Sequence, residues 1–67
     1  MTITEARKTL TQLGYDLLGY QAMGRERRYC VWRGQLAEFC NLPTGGSFDK
    51  DGLKAFAAEV VASISSH

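Results

Sequence analysis

The fold is decided by one stretch of the sequence, residues 15–34, which is YDLLGYQAMGRERRYCVWRG. Both ends of this stretch are rich in aromatic and aliphatic side chains, which favour β-strands, and MGRER between them has the composition of a turn. We therefore predict one strand over residues 15–22 and a second over residues 27–33. Gly19 lies inside the first strand, where a glycine indicates either a bulge or a close backbone approach.

The next segment, residues 35–42, is compatible with two structures. Leu36, Phe39 and Cys40 have helical spacing, but Gly34 indicates a tight hairpin turn, and so short a turn favours a third strand. We predict the strand. With a three-residue turn, the helix-facing side chains are Tyr29, Val31, Ala37 and Phe39. The outward-facing side chains are then Arg28, Cys30, Trp32, Leu36, Glu38 and Cys40. A two-residue turn would exchange the two faces of the third strand.

A first helix is predicted before these strands, over residues 3–13. Thr2 and Glu5 have the spacing of a capping box, in which each side chain accepts a hydrogen bond from the backbone of the other residue. Gly14 supplies the left-handed conformation that commonly ends a helix. The apolar residues that recur at helical spacing are Ile3, Ala6, Leu10 and Leu13.

A last helix is predicted over residues 49–64. It follows a loop at residues 43–46, which contains one proline and two glycines, and either Ser47 or Asp49 can cap it. Its apolar stripe consists of Leu53, Phe56, Ala57, Val60 and Ile64. Phe56 and Val60 lie at the centre of this stripe, so we expect them to be core residues.

The predicted order is helix, strand, strand, strand, helix. This order indicates an α+β fold, an α-β-β-β-α two-layer sandwich whose antiparallel three-stranded sheet carries both helices on one face. The 67 residues make a single domain, residues 1–67. A chain of this length buries only about 60% of the surface of its unfolded form, so the core is thin.

The composition excludes several classes of protein. A hydrophobic content of 45% and a charged content of 22% are typical of globular domains. The apolar runs are far shorter than the roughly 18 residues of a membrane span, and the N-terminus lacks the pattern of a signal peptide. We therefore expect a cytoplasmic protein without a membrane partner, either a monomer or a homodimer. The net charge of +1 creates no global field that attracts nucleic acid.

The two cysteines, Cys30 and Cys40, do not have the spacing of a metal site. The one histidine is His67 at the C-terminus. We expect both cysteines to be small buried side chains rather than disulfide partners or metal ligands. The sequence therefore predicts no metal and no cofactor.

Basic residues are concentrated in residues 25–33. Four arginines and Glu26 lie there, so four positive charges and one negative charge make a local charge of +3. Guanidinium groups contact phosphate, and Tyr29 and Trp32 offer surfaces on which bases stack. The same composition is also typical of a solvated hairpin end, with Tyr29 in the core. The arginines are Arg25, Arg27, Arg28 and Arg33.

The element order and length resemble the double-stranded-RNA-binding fold, and the local sequence resembles the HicA-type toxins of bacterial toxin–antitoxin pairs. The segments that carry this resemblance are TLTQLGYDLLGYQAMGRERRY, residues 9–29, and NLPTGGSFDKDGLKAF, residues 41–56. HicA-like toxins have a Gly-Ser-His-His turn whose histidine is the acid–base catalyst of RNA cleavage. The matching residues here, 24–28, contain no histidine. Arginine cannot serve as a base, and Glu26 between arginines is better suited as a charge partner, so we expect no enzymatic activity.

The double-stranded-RNA binders also have a basic cluster at the start of the last helix. Here that position holds Asp49, Lys50 and Asp51, whose two carboxylates repel phosphate, and Lys54 one turn later does not reverse this. The usual RNA-binding mode of the fold is therefore not expected.

Two functions are compatible with these features. The first is a protein-interaction or regulatory module, such as an accessory, inhibitory or antitoxin-like protein of a phage or mobile element. It would bind a protein partner through Trp32, Leu36 and the four arginines, because Trp and Arg are enriched at interface hot spots. The alternative is a small RNA- or DNA-binding domain that uses the basic cluster of residues 25–33. The near-neutral charge and the acidic start of the last helix favour the first.

Overall fold

The computed structural model describes residues 1–21, 23–24 and 26–65. Its elements are α1 (Ile3–Gln12), β1 (Tyr15–Gln21), β2 (Arg27–Arg33), α2 (Gln35–Phe39), β3 (Ser47–Phe48) and α3 (Lys50–Ser65). The strands form one antiparallel sheet in the order β1-β2-β3, with helices before and after it. The α+β fold predicted from the sequence is confirmed. The predicted end of the first strand, Ala22, lies outside the described residues.

The prediction of a third strand at residues 35–42 is wrong. Residues Gln35–Phe39 form α2, which is the helical alternative indicated by the spacing of the apolar residues. Gly34 does not form a hairpin turn, because its backbone N–H donates to the carbonyl oxygen of Gly14 at 2.8 Å and its own carbonyl accepts from Glu38 at 3.0 Å. The chain is thereby held against the end of α1 and enters a helix instead of returning beside β2.

The α2 helix also changes which side chains are buried. Ala37 is buried in the core as predicted, but Phe39, expected to face the helices, is 89% exposed. Ala37 and Phe39 would share a face in a strand. In a helix, two residues two positions apart point in nearly opposite directions, so only one of them contacts the core.

The third strand of the sheet is β3, which consists of two residues. Phe48 lies opposite Tyr29, and the backbone N–H of Val31 donates to the carbonyl oxygen of Gly46 at 2.8 Å. The predicted loop at residues 43–46 therefore runs beside β2 and leads directly into β3. Two residues are too few to show a strand periodicity in a sequence.

The core lies between the sheet and the pair of helices α1 and α3. The residues of β1 and β2 that point into it are odd-numbered, as the pairing of Leu17 with Val31 and the burial of Tyr15 and Tyr29 show. The buried apolar side chains are Ala6, Leu10, Tyr15, Tyr29, Val31, Ala37, Leu42, Leu53, Phe56, Ala57 and Val60. Phe56 and Val60 are therefore core residues, as predicted.

The predicted helix caps are confirmed, and the helix bounds agree with the predicted 3–13 and 49–64 to within one residue. Thr2 and Glu5 form the reciprocal capping box, with both backbone-to-side-chain hydrogen bonds at 3.1 Å. Gly14 follows α1 with a φ of 94°, a conformation that favours glycine. Asp49 rather than Ser47 caps α3, since its Oδ1 accepts from the backbone N–H of Gly52 at 2.7 Å. No helix of the described chain has the length and apolar character needed to cross a membrane.

Candidate binding surface on the open face of the sheet

Helices α1 and α3 cover one face of the sheet, and in the described part of the chain they leave the other face uncovered. Side chains alternate along a strand, so the even-numbered residues of β1 and β2 point away from α1 and α3. Ser47 of β3 joins them, because it lies opposite Cys30. We call this surface the open face. Its residues are Asp16, Leu18, Tyr20, Arg28, Cys30, Trp32 and Ser47.

The strand register places these residues in three rows. Asp16 lies opposite Trp32, and Tyr20 lies opposite Arg28. Between them, Leu18 lies opposite Cys30. Side chains directly opposite each other in an antiparallel pair have Cβ atoms about 4.5–5.5 Å apart. The residues of the open face therefore form one continuous surface.

This surface exposes large apolar side chains at neighbouring positions. Leu18 is 59% exposed, Trp32 is 48% exposed and Tyr20 is 39% exposed. A single exposed apolar side chain is common in proteins, whereas a group of neighbouring ones is a candidate interaction site. Trp32 is a predicted site residue, whereas Leu18 and Tyr20 are not. The signal was available, since both have the spacing of two residues that places them on one face of β1.

Arg28 is the predicted arginine that lies on the open face. It is half-buried, and its Nη2 donates to the Ser47 hydroxyl oxygen at 3.4 Å. The guanidinium group therefore joins β2 to β3, and Arg28 lies in the same row as Tyr20. Arg25, the first arginine of the predicted site, lies outside the described residues.

Arg27 and Arg33 lie on the other side of the sheet. Arg33 is half-buried, and its Nη1 donates to the carbonyl oxygen of Leu42 at 3.1 Å. Arg27 lies against Gly19, where an added Cβ atom would be 3.1 Å from the arginine Nε. The predicted arginine cluster is thus divided between two faces, because residues 27 and 33 alternate with residues 28 and 32 along the strand.

Arg33 also affects the neighbouring residue Tyr15. Burial raises the pKa of the Tyr15 phenol, the positive charge of Arg33 lowers it, and the negative charge of Glu59 raises it. The net effect is a raised pKa, so Tyr15 is a neutral core residue near neutral pH. Arg33 acts here on the interior of the domain and does not contribute to the open face.

Leu36 lies away from Trp32. It lines an apolar groove of about 300 Å³ between the helices, together with Leu13, Cys40, Leu42 and Ile64. Of the predicted site residues that the structure describes, Arg28 and Trp32 share the open face, two rows apart. Leu36 belongs to a separate surface.

The cysteines are less buried than the sequence predicted. Cys30 is half-buried in the open face and Cys40 is exposed, and both are free. Cys40 is the C-cap residue of α2, at an exposed end of that helix. Within the described ranges, no three His, Cys, Asp or Glu side chains are close enough to hold a metal ion. His67 lies outside these ranges.

Comparisons with known proteins do not connect this surface to an established function. No family model, curated protein or solved structure matches the chain. The resemblance to HicA-type toxins and to the double-stranded-RNA-binding fold therefore stays a prediction.

Proposed function

We propose that the protein is a small non-enzymatic interaction module that binds a protein partner through the open face of its sheet. One observation carries the proposal: Trp32, Leu18 and Tyr20 are exposed at neighbouring positions of a face that α1 and α3 leave uncovered. Tryptophan, tyrosine and arginine are the residues most enriched at interface hot spots. The open face combines one of each, with Trp32 as the expected main contact.

The strands hold these side chains in place before a partner binds. Trp32 and Arg28 belong to the central strand β2, which pairs with both other strands, and Arg28 also contacts Ser47. Fewer degrees of freedom are therefore lost on binding than would be lost from a flexible loop. A rigid surface of this kind suits an accessory, inhibitory or antitoxin-like protein, such as one from a phage or mobile element, acting in the cytoplasm.

The test is capture of a protein partner by immobilised wild type, Trp32→Ala and Phe39→Ala from a nuclease-treated lysate. Phe39 is a matched control, because it is an aromatic residue that is 89% exposed and lies on α2, off the open face. We expect wild type and Phe39→Ala to capture the same partner. Trp32→Ala should weaken its binding about 30-fold or more, which corresponds to about 2 kcal/mol. Equal capture by all three proteins would contradict the proposal.

A second candidate function, binding of single-stranded RNA or DNA, is favoured by the positions of Trp32 and Tyr20. Exposed aromatic side chains on a sheet can stack with unpaired bases, and Arg28, which lies opposite Tyr20, can contact a phosphate. Arg27 and Arg33 lie on the opposite side, which reduces the positive charge of the open face. Protein binding therefore remains our first proposal.

The salt dependence of oligonucleotide binding distinguishes the two candidates. Each phosphate contact adds about −0.7 to −0.9 to the slope of log affinity against log salt concentration. Four arginines would give a slope of about −3, whereas a contact by Arg28 alone would give a shallower slope of about −0.7 to −0.9. Micromolar binding of a single-stranded oligonucleotide that weakens with salt and is reduced in Trp32→Ala would favour the nucleic-acid function over the one proposed.

A further inference from the structure

The strand β1 is an edge of the sheet with little protection against pairing with another chain. It is seven residues long and pairs with β2 alone in the described part of the chain. Proteins usually protect such an edge with lysine, proline, a bulge or a covering segment. β1 contains neither lysine nor proline, its register with β2 is uninterrupted, and its one charged residue is Asp16.

Two backbone hydrogen bonds establish which groups of β1 point toward the free edge. The Gly34 N–H donates to the Gly14 carbonyl oxygen, and the Val31 N–H donates to the Gly46 carbonyl oxygen, both at 2.8 Å. Alternate residues of an antiparallel strand bond to the same neighbour. The even-numbered residues of β1 therefore bond to β2. The residues whose N–H and C=O groups point away from β2 are Tyr15, Leu17, Gly19 and Gln21.

The two sides of this edge differ in chemistry. On the helix side, Leu17 and the outer surface of α1 line a shallow groove of about 350 Å³, which includes the cations Arg7 and Lys8. Arg27 lies over Gly19 on the same side. No described carboxylate lies within salt-bridge distance of these three cations. On the open face, the side chains beside the edge are Leu18 and Tyr20.

We propose that the edge of β1 accepts an extended segment of a protein partner as an additional strand. The side chains of this partner segment alternate in character. Acidic side chains point toward Arg7 and Lys8, and apolar side chains point toward Leu18 and Tyr20. Backbone hydrogen bonds supply affinity, and the alternation supplies specificity, as in other cases of strand addition. The proposal rests on the proposed protein-binding function and identifies the kind of partner that the open face takes.

A second copy of this chain fits the edge less well than an acidic segment. The helix-facing residues of β1 are Tyr15, Leu17, Gly19 and Gln21, none of which carries a negative charge. A two-fold pairing of two β1 strands would also bring the cations of the two α1 helices toward each other. Charge complementarity therefore favours a partner with carboxylates.

The probe for this proposal is a seven-residue capped peptide of alternating glutamate and valine, which matches the length of β1. Its binding is measured by titration calorimetry against a peptide with lysine in place of glutamate. We expect the glutamate peptide to bind at least about tenfold more tightly, since like charges would face Arg7 and Lys8 in the lysine peptide. Two further versions of the glutamate peptide are N-methylated at every second backbone amide. One version carries the methyl groups on the first alternating set of amides, and the other carries them on the second set. Methylation of the set that faces β1 should abolish binding, and methylation of the other set should not.

Charge reversal on the protein gives the matched control. Lys8→Glu should weaken binding of the glutamate peptide and favour the lysine peptide, whereas Lys50→Glu, the same change at an exposed lysine of α3, should change neither. Equal binding of both charged peptides, no binding at millimolar concentration, or equal effects of the two methylations would overturn strand addition. A stable dimer of this chain that excludes the peptide would overturn it in favour of a second copy.

The same variants separate this proposal from the one on which it rests. A protein partner that needs Trp32 but is unaffected by Lys8→Glu and is not displaced by the glutamate peptide would leave the open face as the binding surface and overturn strand addition. Peptide binding with the expected methylation pattern, together with a partner that does not depend on Trp32, would support the edge and contradict the role of Trp32.

Discussion

The hydroxyl group of Tyr15 donates a hydrogen bond to the backbone carbonyl oxygen of Pro43. Tyr15 is the first residue of β1, and Pro43 begins the segment that leads to β3, so this contact joins the two outer parts of the sheet. The Tyr15 ring also meets the Phe56 ring edge to face, with 5.5 Å between the centroids. One side chain thereby connects β1, the loop at residues 43–46 and α3.

We predict that Tyr15→Phe lowers the free energy of unfolding by about 1–3 kcal/mol, because the Pro43 carbonyl group loses its donor while the ring packing is retained. Urea denaturation of wild type and variant measures this change. Tyr20→Phe, a change of a more exposed tyrosine on the open face, serves as the control and should have little effect. A Tyr15→Phe variant as stable as wild type would show that the hydrogen bond does not hold the loop.

Tyr15 should also make the fold sensitive to alkaline pH. Burial raises the pKa of its phenol in the folded state, so the folded protein holds this proton more tightly than the unfolded chain does. The contribution of the Tyr15 phenol to stability is complete below its pKa in the unfolded chain, which is about 10. This contribution is lost as the pH rises through the higher pKa of the folded state. Denaturation at about pH 8 and about pH 11 should therefore show a smaller decrease in stability for Tyr15→Phe than for wild type. An equal decrease in stability for both proteins would contradict the role of Tyr15 in this pH dependence.

Phe56 is expected to be essential for stability. Its ring stacks on Phe48 with 4.8 Å between the centroids and contacts Tyr15, so it joins α3 to two strands. Truncation of a buried phenylalanine to alanine costs about 3–5 kcal/mol, a large fraction of the stability of a small domain. Phe56→Ala should therefore be unfolded or far less stable in thermal denaturation, whereas Phe39→Ala, at an exposed position, should melt close to wild type. Equal melting temperatures would mean that α3 packs through another side.

Gly45 and Gly46 provide a matched pair of substitutions beside β2. A Cβ atom on Gly45 would lie 2.6 Å from the carbonyl carbon of Val31, whereas one on Gly46 would have no neighbour closer than 3.8 Å. Gly45→Ala must therefore displace the loop from β2, and we expect it to cost about 1–3 kcal/mol, the usual range for overpacking. Gly46→Ala should change stability by much less. If chemical denaturation gives the two variants the same stability, the loop does not approach β2 as closely as described.

The sequence by itself determined the elements that depend on local signals. The capping box of Thr2 and Glu5, the apolar spacing in α1 and α3, and the strand composition around Tyr29 predicted helices and a hairpin close to those observed. The alternation along β2 also assigned Trp32 and Arg28 to the outward side. These predictions succeed because helix and strand periodicity arise from neighbours in the chain.

Only the tertiary structure decided the path after β2 and the composition of the candidate binding surface. The contact of Gly34 with Gly14 directs residues 35–39 into a helix, and the close approach of Gly45 to Val31 makes room for β3. The open face likewise depends on the register of β1 against β2, which places Leu18 and Tyr20 on the same face of the sheet as Trp32. These contacts join residues far apart in the sequence, and no local pattern of side chains specifies which distant backbone groups will meet.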